Sequence, residues 1–135
     1  MAITNWSAIS ALVSGSQSDT ISFSSCGLIR RNCVVDGDTF WLHGEKVRIA
    51  NIDAPETPGS ARCKNLRIGK NPSWCDFELG SKARVALATT LSGGPVVLSP
   101  QGKDKYGRTL ATVSVGGRDV GDALIEQGVA RRWED

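Results

Sequence analysis

A small, mainly β domain of the α+β class, five strands curled into a barrel with two or three short helices, is the fold this sequence predicts. Three observations predict it. Turn residues arrive about every eight to twelve positions through the first half. One long helical pattern of apolar residues follows, and no internal repeat or long linker divides the 135 residues.

Taken in order, Cys33 to Val35 and Thr39 to Leu42 flank an Asp36-Gly37-Asp38 turn. His43-Gly44 then turns the chain into Glu45 to Ile52, completing a three-strand meander. Along the third strand Val47 and Ile49 point one way and Lys46 and Arg48 the other, which sends Arg48 out of the core toward a functional surface. Phe40 and Trp41 fall on opposite faces for the same reason. Thr57 to Asp76 carries Pro58, Gly59, Gly69 and Pro72 among Arg62, Lys64, Arg67 and Lys70, and reads as a long basic loop. Leu79, Ala83, Ala86, Leu87 and Leu91 recur at threes and fours before Gly93-Gly94, the pattern of an amphipathic helix. Val96 to Ser99 and Thr109 to Val115 are two further strands, and Asp119 caps a second helix over Val120 to Gln127 that Gly128 ends. Five strands with short helices fit a Greek-key barrel of the oligonucleotide/oligosaccharide-binding kind. The Ser-rich residues 1–25 read as a poorly ordered leader, leaving 26–135 as the domain.

Composition narrows the classes. Sixteen basic against 14 acidic residues give a net charge of +2, too small to reveal a nucleic-acid partner, so the position of charge must carry that reading. No stretch approaches the roughly 18 consecutive apolar residues of a membrane span, and no membrane association is expected. The first 25 residues lack Lys and Arg, so no intact signal peptide is visible. Cys26, Cys33, Cys63 and Cys75 are spaced unlike a zinc site. Two disulfides in a secreted or periplasmic protein, with three connectivities open, compete with four free thiols in the cytoplasm.

Three charged clusters carry the chemistry. Asp36-Gly37-Asp38-Thr39, Arg48 leading into Ile52-Asp53-Ala54-Pro55-Glu56, and Asp104-Lys105-Tyr106-Gly107-Arg108 bring acids and arginines together. Asp-Gly-Asp alone is good turn chemistry, and either arginine alone is an ordinary surface residue. If the second and third strands pair, however, Asp53 and Glu56 return beside Asp38, and the repulsion among them suits a hard divalent cation such as Ca²⁺. Arg48 and Arg108, with rigid permanently charged forks, suit the non-bridging oxygens of a phosphate. Lys105 and Tyr106 add a charge and an aromatic face beside a nucleotide. The combination reads as metal-assisted phosphodiester hydrolysis. His43, in a hairpin turn, reads as structural, as do Trp74 in the loop and the core candidates Leu124 and Ile125.

The stretches VVDGDTFWL, VRIANIDAPE, DKYGRTLA and DALIEQGVARRW, in that order between about Cys33 and Trp133, resemble the staphylococcal (micrococcal) nuclease, or thermonuclease, family. The resemblance implies the barrel and a Ca²⁺-dependent nuclease acting on DNA and RNA with little sequence specificity and leaving 3′-phosphate ends. It implies Asp38, Asp53 and the main-chain carbonyl of Ala54 as calcium ligands, Glu56 as general base, and Arg48 and Arg108 as phosphate clamps. Lys105 and Tyr106 match neighbours that contact the nucleotide. A monomer without an obligate protein partner is expected. The alternatives are a noncatalytic nucleic-acid-binding or scaffold module on the same barrel, and a phosphoesterase of small nucleotides. Departures are also visible: Tyr106 is the only tyrosine, so the family's later base-binding tyrosines are missing. Trp133 is a candidate substitute face, although a core or lid role is the simpler expectation, and the Thr57 to Asp76 loop differs in length and composition.

Overall fold

The computed structural model describes residues 19–64 and 74–133. Residues 1–18 of the expected leader, and Arg67, Gly69, Lys70 and Pro72 of the basic loop, lie outside the described residues.

The meander forms as β2 (Cys33–Asp36), β3 (Thr39–Leu42) and β4 (Glu45–Ile49), two antiparallel pairs joined by tight turns. His43 and Gly44 both take positive φ, 50° and 80°, which matches the hairpin twist between β3 and β4. β4 continues the sheet by parallel pairing with β7 (Thr109–Val115), which pairs antiparallel with β6 (Val96–Lys103). A two-residue β1 (Ser24–Ser25) runs parallel to β2, giving the order β1-β2-β3-β4-β7-β6, and β8 (Arg118–Asp119) adds to β7. Among the described residues no ladder joins the two outer strands. The ladders among the described residues form an open mixed sheet, mainly β with a few helices as the sequence predicts.

The third predicted strand, Glu45 to Ile52, breaks after Ile49. Its remainder, β5 (Ile52–Asp53), leaves the main sheet and pairs with β9 (Arg131–Arg132) near the chain end. A pairing across nearly eighty residues leaves no local pattern to read. Ahead of Cys26, Phe23 is buried edge-on against Phe40, and its backbone N–H donates to Ser92 Oγ at 2.9 Å.

Inside the basic loop a single turn, α1 (Ala61–Lys64), forms, and α2 (Phe77–Leu91) follows, capped by Asp76 accepting from the Leu79 N–H. Gly80, Ala83, Leu87 and Leu91 are the buried face of α2, laid on Val34, Phe40, Val47, Ile49 and Ile52. The third helix, α3 (Val120–Glu126), starts at Asp119 as predicted, with the carboxylate accepting from Asp122 N–H at 2.8 Å. Both cysteine pairs are oxidised, Cys26–Cys33 and Cys63–Cys75, which selects one of the three open connectivities.

Candidate active site

The candidate acids meet where β3 begins and β4 ends. Thr39 lies opposite Arg48 in the ladder, so the Asp38 side chain and the Arg48 guanidinium leave neighbouring strands side by side. A register shift between Val34 and Asp36 bends β2 just before the turn, and Asp36 Oδ1 accepts the Asp38 N–H at 3.2 Å. Gly37 has a packing role as well as a turn role: a Cβ there would fall 2.6 Å from Ala83 Cβ on α2 and 2.7 Å from Ala54 Cβ. Only hydrogen fits between α2 and the Ala54 segment. Gly80 does the same for the next acid, since a Cβ would lie 2.1 Å from the Glu56 carbonyl oxygen. The helix can therefore press directly on the Glu56 backbone.

Arg48 is held from several sides. Its Nη1 donates to the Ile49 and Ile52 carbonyls at 2.5 and 2.9 Å, fixing the fork over the break between β4 and β5. Its Nη2 faces Asp38 Oδ2 at 3.5 Å and Asp53 Oδ1 at 3.9 Å, so these two carboxylates flank one nitrogen. Asp38 is buried and further fixed by the Ala54 N–H at 2.9 Å and the Thr39 hydroxyl at 3.1 Å.

Glu56 is half-buried beside this pair. Its N–H donates to the Trp74 carbonyl at 2.8 Å, and Arg62 Nη1 stands 3.6 Å from Oε1. Burial raises its pKa above the ordinary carboxylate range; Arg62 offsets part of that rise, and Asp38 and Asp53 add to it. Asp36 is pushed up to about 8, first by burial, then by the Asp38 charge, with Glu56 contributing. Four acids thus feel one another across a small volume.

Among the described residues no three His, Cys, Asp or Glu side chains form a group able to hold a metal ion. The expected ligand set needs only two carboxylates and the Ala54 carbonyl, and Asp38 and Asp53 do converge on the Arg48 nitrogen. Hard oxygen donors with crowded negative charge fit a cation such as Ca²⁺ in chemistry.

The third cluster is arranged separately. Arg108 Nε donates to Asp104 Oδ2 at 2.6 Å, and Asp104 Oδ1 accepts the Tyr106 and Arg108 N–H groups, each at 2.9 Å. The guanidinium of Arg108 and the ammonium of Lys105 lie over the Tyr106 ring at 5.3 and 5.2 Å. Among the described residues Arg108 forms no ion pair with Asp38, Asp53 or Glu56. The structure brings Asp38, Asp53, Glu56 and Arg48 together and leaves Arg108, Lys105 and Tyr106 in their own loop.

Two contributors escaped the sequence reading. Arg131 on β9 grips Asp53 Oδ2 through Nε at 3.0 Å and Nη2 at 2.8 Å, and stacks on Trp74 at 4.6 Å. Trp74, read as loop packing, therefore touches the site twice, by its ring and by its carbonyl on Glu56. Trp133 lies under Arg48 at 5.6 Å with its N–H on the Asn51 carbonyl, and at 44% exposure it is a surface face rather than core. Asp36 was visible in the motif, but its strong coupling to Asp38 depends on burial.

Comparison with known proteins bears on the same region. The model of the family described as staphylococcal nuclease homologue matches residues 46–135. The chain is 32% identical over 105 residues to the succinoglycan biosynthesis protein ExoI of Rhizobium meliloti, covering 76% of this chain and 51% of that protein. It is 36% identical over 117 residues to endonuclease YhcR of Bacillus subtilis, covering 77% of this chain and 8% of the relative. Endonuclease YncB of Bacillus subtilis is 33% identical over 104 residues, 72% of this chain and 44% of the relative. The chain thus spans about half the length, or less, of these curated relatives. With the family match running through Arg48, Asp53, Glu56 and Arg108, this chain belongs to the staphylococcal nuclease homologue family.

Proposed function

We propose that this protein is a Ca²⁺-dependent nuclease that hydrolyses phosphodiester bonds of DNA and RNA with little sequence specificity and leaves 3′-phosphate ends. The observation that carries this reading is the placement of Arg48 between Asp38 and Asp53, with Glu56 beside them. Asp38, Asp53 and the Ala54 carbonyl would hold the ion, which when bound supplies Lewis-acid polarisation of a phosphoryl oxygen.

Glu56, its carboxylate held above the usual range by burial, orients a water and accepts its proton as the water oxygen attacks phosphorus. Arg48 donates to the non-bridging oxygens as charge accumulates there, with Ile49 and Ile52 already fixing its direction. The bond from phosphorus to the 5′ oxygen breaks, that oxygen takes up a proton, and the phosphate stays on the 3′ side. Arg108 serves as the second clamp, with Asp104 holding the Nε side of its fork, while Lys105 and Tyr106 line the approach of the neighbouring nucleotide. The five-stranded Greek-key barrel remains part of this reading, as do a monomeric state and export to an oxidising compartment, which two disulfides favour.

Plasmid digestion by the purified protein with Ca²⁺ and with chelator tests the proposal. Cleavage in Ca²⁺ alone, yielding ends that a 3′-phosphatase must open before polymerase extension, is the expected result. Binding of DNA without cleavage in either condition would assign the noncatalytic module instead. Turnover of mononucleotide diesters but not long strands would assign the small-nucleotide phosphoesterase.

A further inference from the structure

The loop closed by Cys26–Cys33 contributes no residue to the candidate active site. Leu28 is 103% exposed and Ile29 is 85% exposed, the two largest exposures among the large hydrophobic residues described. The disulfide joins residues seven apart. The loop's base is pinned as well: Cys26 N–H donates to the Val34 carbonyl at 3.0 Å, Gly44 N–H to the Arg31 carbonyl at 3.0 Å, and His43 N–H to Asn32 Oδ1 at 2.8 Å. Held this way, the two aliphatic side chains stay in water at the tip. Single exposed apolar residues are ordinary, but an adjacent aliphatic pair on a pinned tip is a feature to explain.

The charge around the tip identifies what it fits. Arg30 and Arg31 are exposed directly beside Leu28 and Ile29, and no Asp or Glu occurs between Thr20 and Val35. Glu45, an exposed acid next to the His43-Gly44 turn, accepts from the Thr109 hydroxyl and sets one negative charge against the tip's two guanidiniums. Nucleic acid would reward the arginines but offers nothing to two aliphatic chains, whose counterparts in strand-binding surfaces are aromatic. A bilayer rewards both, because acyl chains accept Leu and Ile while anionic headgroups attract guanidinium.

We propose that the Leu28-Ile29-Arg30-Arg31 tip is a peripheral docking site for an anionic phospholipid bilayer. The expectation of no membrane association came from the lack of a spanning segment, and no described helix is long and apolar enough to cross a membrane. Peripheral contact by a loop tip needs no such helix. The site is independent of the cleavage reading.

Vesicle sedimentation with the full oxidised chain tests it, using phosphatidylcholine alone and phosphatidylcholine mixed with phosphatidylglycerol. The wild type is expected to partition onto the mixed vesicles and to be released as salt is raised. Leu28→Ser with Ile29→Ser, and separately Arg30→Gln with Arg31→Gln, should each lower the partition coefficient about tenfold or more. Unchanged melting and a zero thiol count would show each variant folded and oxidised. The salt dependence of the wild type requires no variant at all. Absence of wild-type partition would overturn the proposal, as would equal partition of folded Leu28→Ser/Ile29→Ser protein. Retention on immobilised polyglutamate without vesicle binding would assign the tip to an acidic protein and overturn it too.

Discussion

Arg48 and Arg108 sit in similar company in the sequence, each beside acids, yet different parts of the molecule hold them. Arg48 is fixed by carbonyls at the break between β4 and β5, by Asp38 from the neighbouring strand, and by Trp133 from the chain end. Its side chain is 13% exposed, and that of Asp38 is 11% exposed. Arg108 is fixed by its own loop, four residues from Asp104 and two from Tyr106. The contrast shows that one arginine is held by distant parts of the fold, so its charge also supports the fold, while the other, at 18% exposure, is held by its own loop.

The sharpest test of this contrast is alanine substitution. Arg48→Ala and Glu56→Ala should each reduce turnover in a plasmid digestion by about 10²–10³. Arg48→Ala should in addition cost about 3 kcal/mol in a denaturant melt, because Asp38 keeps its burial and loses its cation. Lysine at position 48 should restore little, since one ammonium cannot serve two carbonyls and two carboxylates. Near-wild-type turnover by Glu56→Ala protein would remove the assigned base.

Arg108→Ala should lower cleavage by about 10² and, because its ion pair closes within one loop with the guanidinium 18% exposed, cost less stability than Arg48→Ala, about 1.5 kcal/mol. If it destabilises the protein as much as Arg48→Ala does, the distinction between a fold-borne and a loop-borne clamp fails.

A pH-dependent effect is expected at Asp36. Its folded pKa of about 8 lies far above its unfolded value of 3.8, so the native state retains a proton that the unfolded state has lost. Stability from this group is therefore full below pH near 4 and declines as pH rises toward 8. Asp36→Asn keeps an oxygen for the Asp38 N–H and removes the titration, so it should raise the melting temperature at pH 7 and leave it unchanged at pH 3. A drop in melting temperature at pH 7 would contradict the burial account.

The smallest effect belongs to the loop-borne clamp. Burial alone would raise the Asp104 pKa, but the Arg108 N–H and guanidinium and the Tyr106 N–H together lower it. The loop's hold on Arg108 is thus complete above the ordinary carboxylate range and is lost as pH falls through the depressed value. Amide exchange at Tyr106 and Arg108, corrected for the intrinsic rate at each pH, should lose protection only in acid. Loss of protection already near neutrality would show that Asp104 does not organise the loop.

Much of this was legible along the chain. β3 and β7 appear with the bounds expected from alternation and turn residues, and Asp119 caps α3 where predicted, because these signals are local. β6 runs four residues past Ser99, to Lys103, since pairing with β7 carries strand geometry beyond what the Pro100 punctuation suggests. The site was legible in part: Asp38 and Arg48 meet through the β3–β4 hairpin register, which nearby turns set, and Asp53 and Glu56 follow within eight residues of Arg48. Arg131 and Trp74 were not, because nothing local announces that β9 returns to β5.

Residue types and short spacings alone determined the meander, the helix faces, the acid and arginine clusters and the family resemblance, since each depends on contacts within about one turn or hairpin. Only the tertiary structure decided that the sheet is open, that Gly37 and Gly80 are sites of close approach, that Arg131 closes on Asp53, and that Leu28 and Ile29 stand in water. Burial and long-range pairing are properties of what surrounds a residue, and its surroundings exist only after the chain has folded.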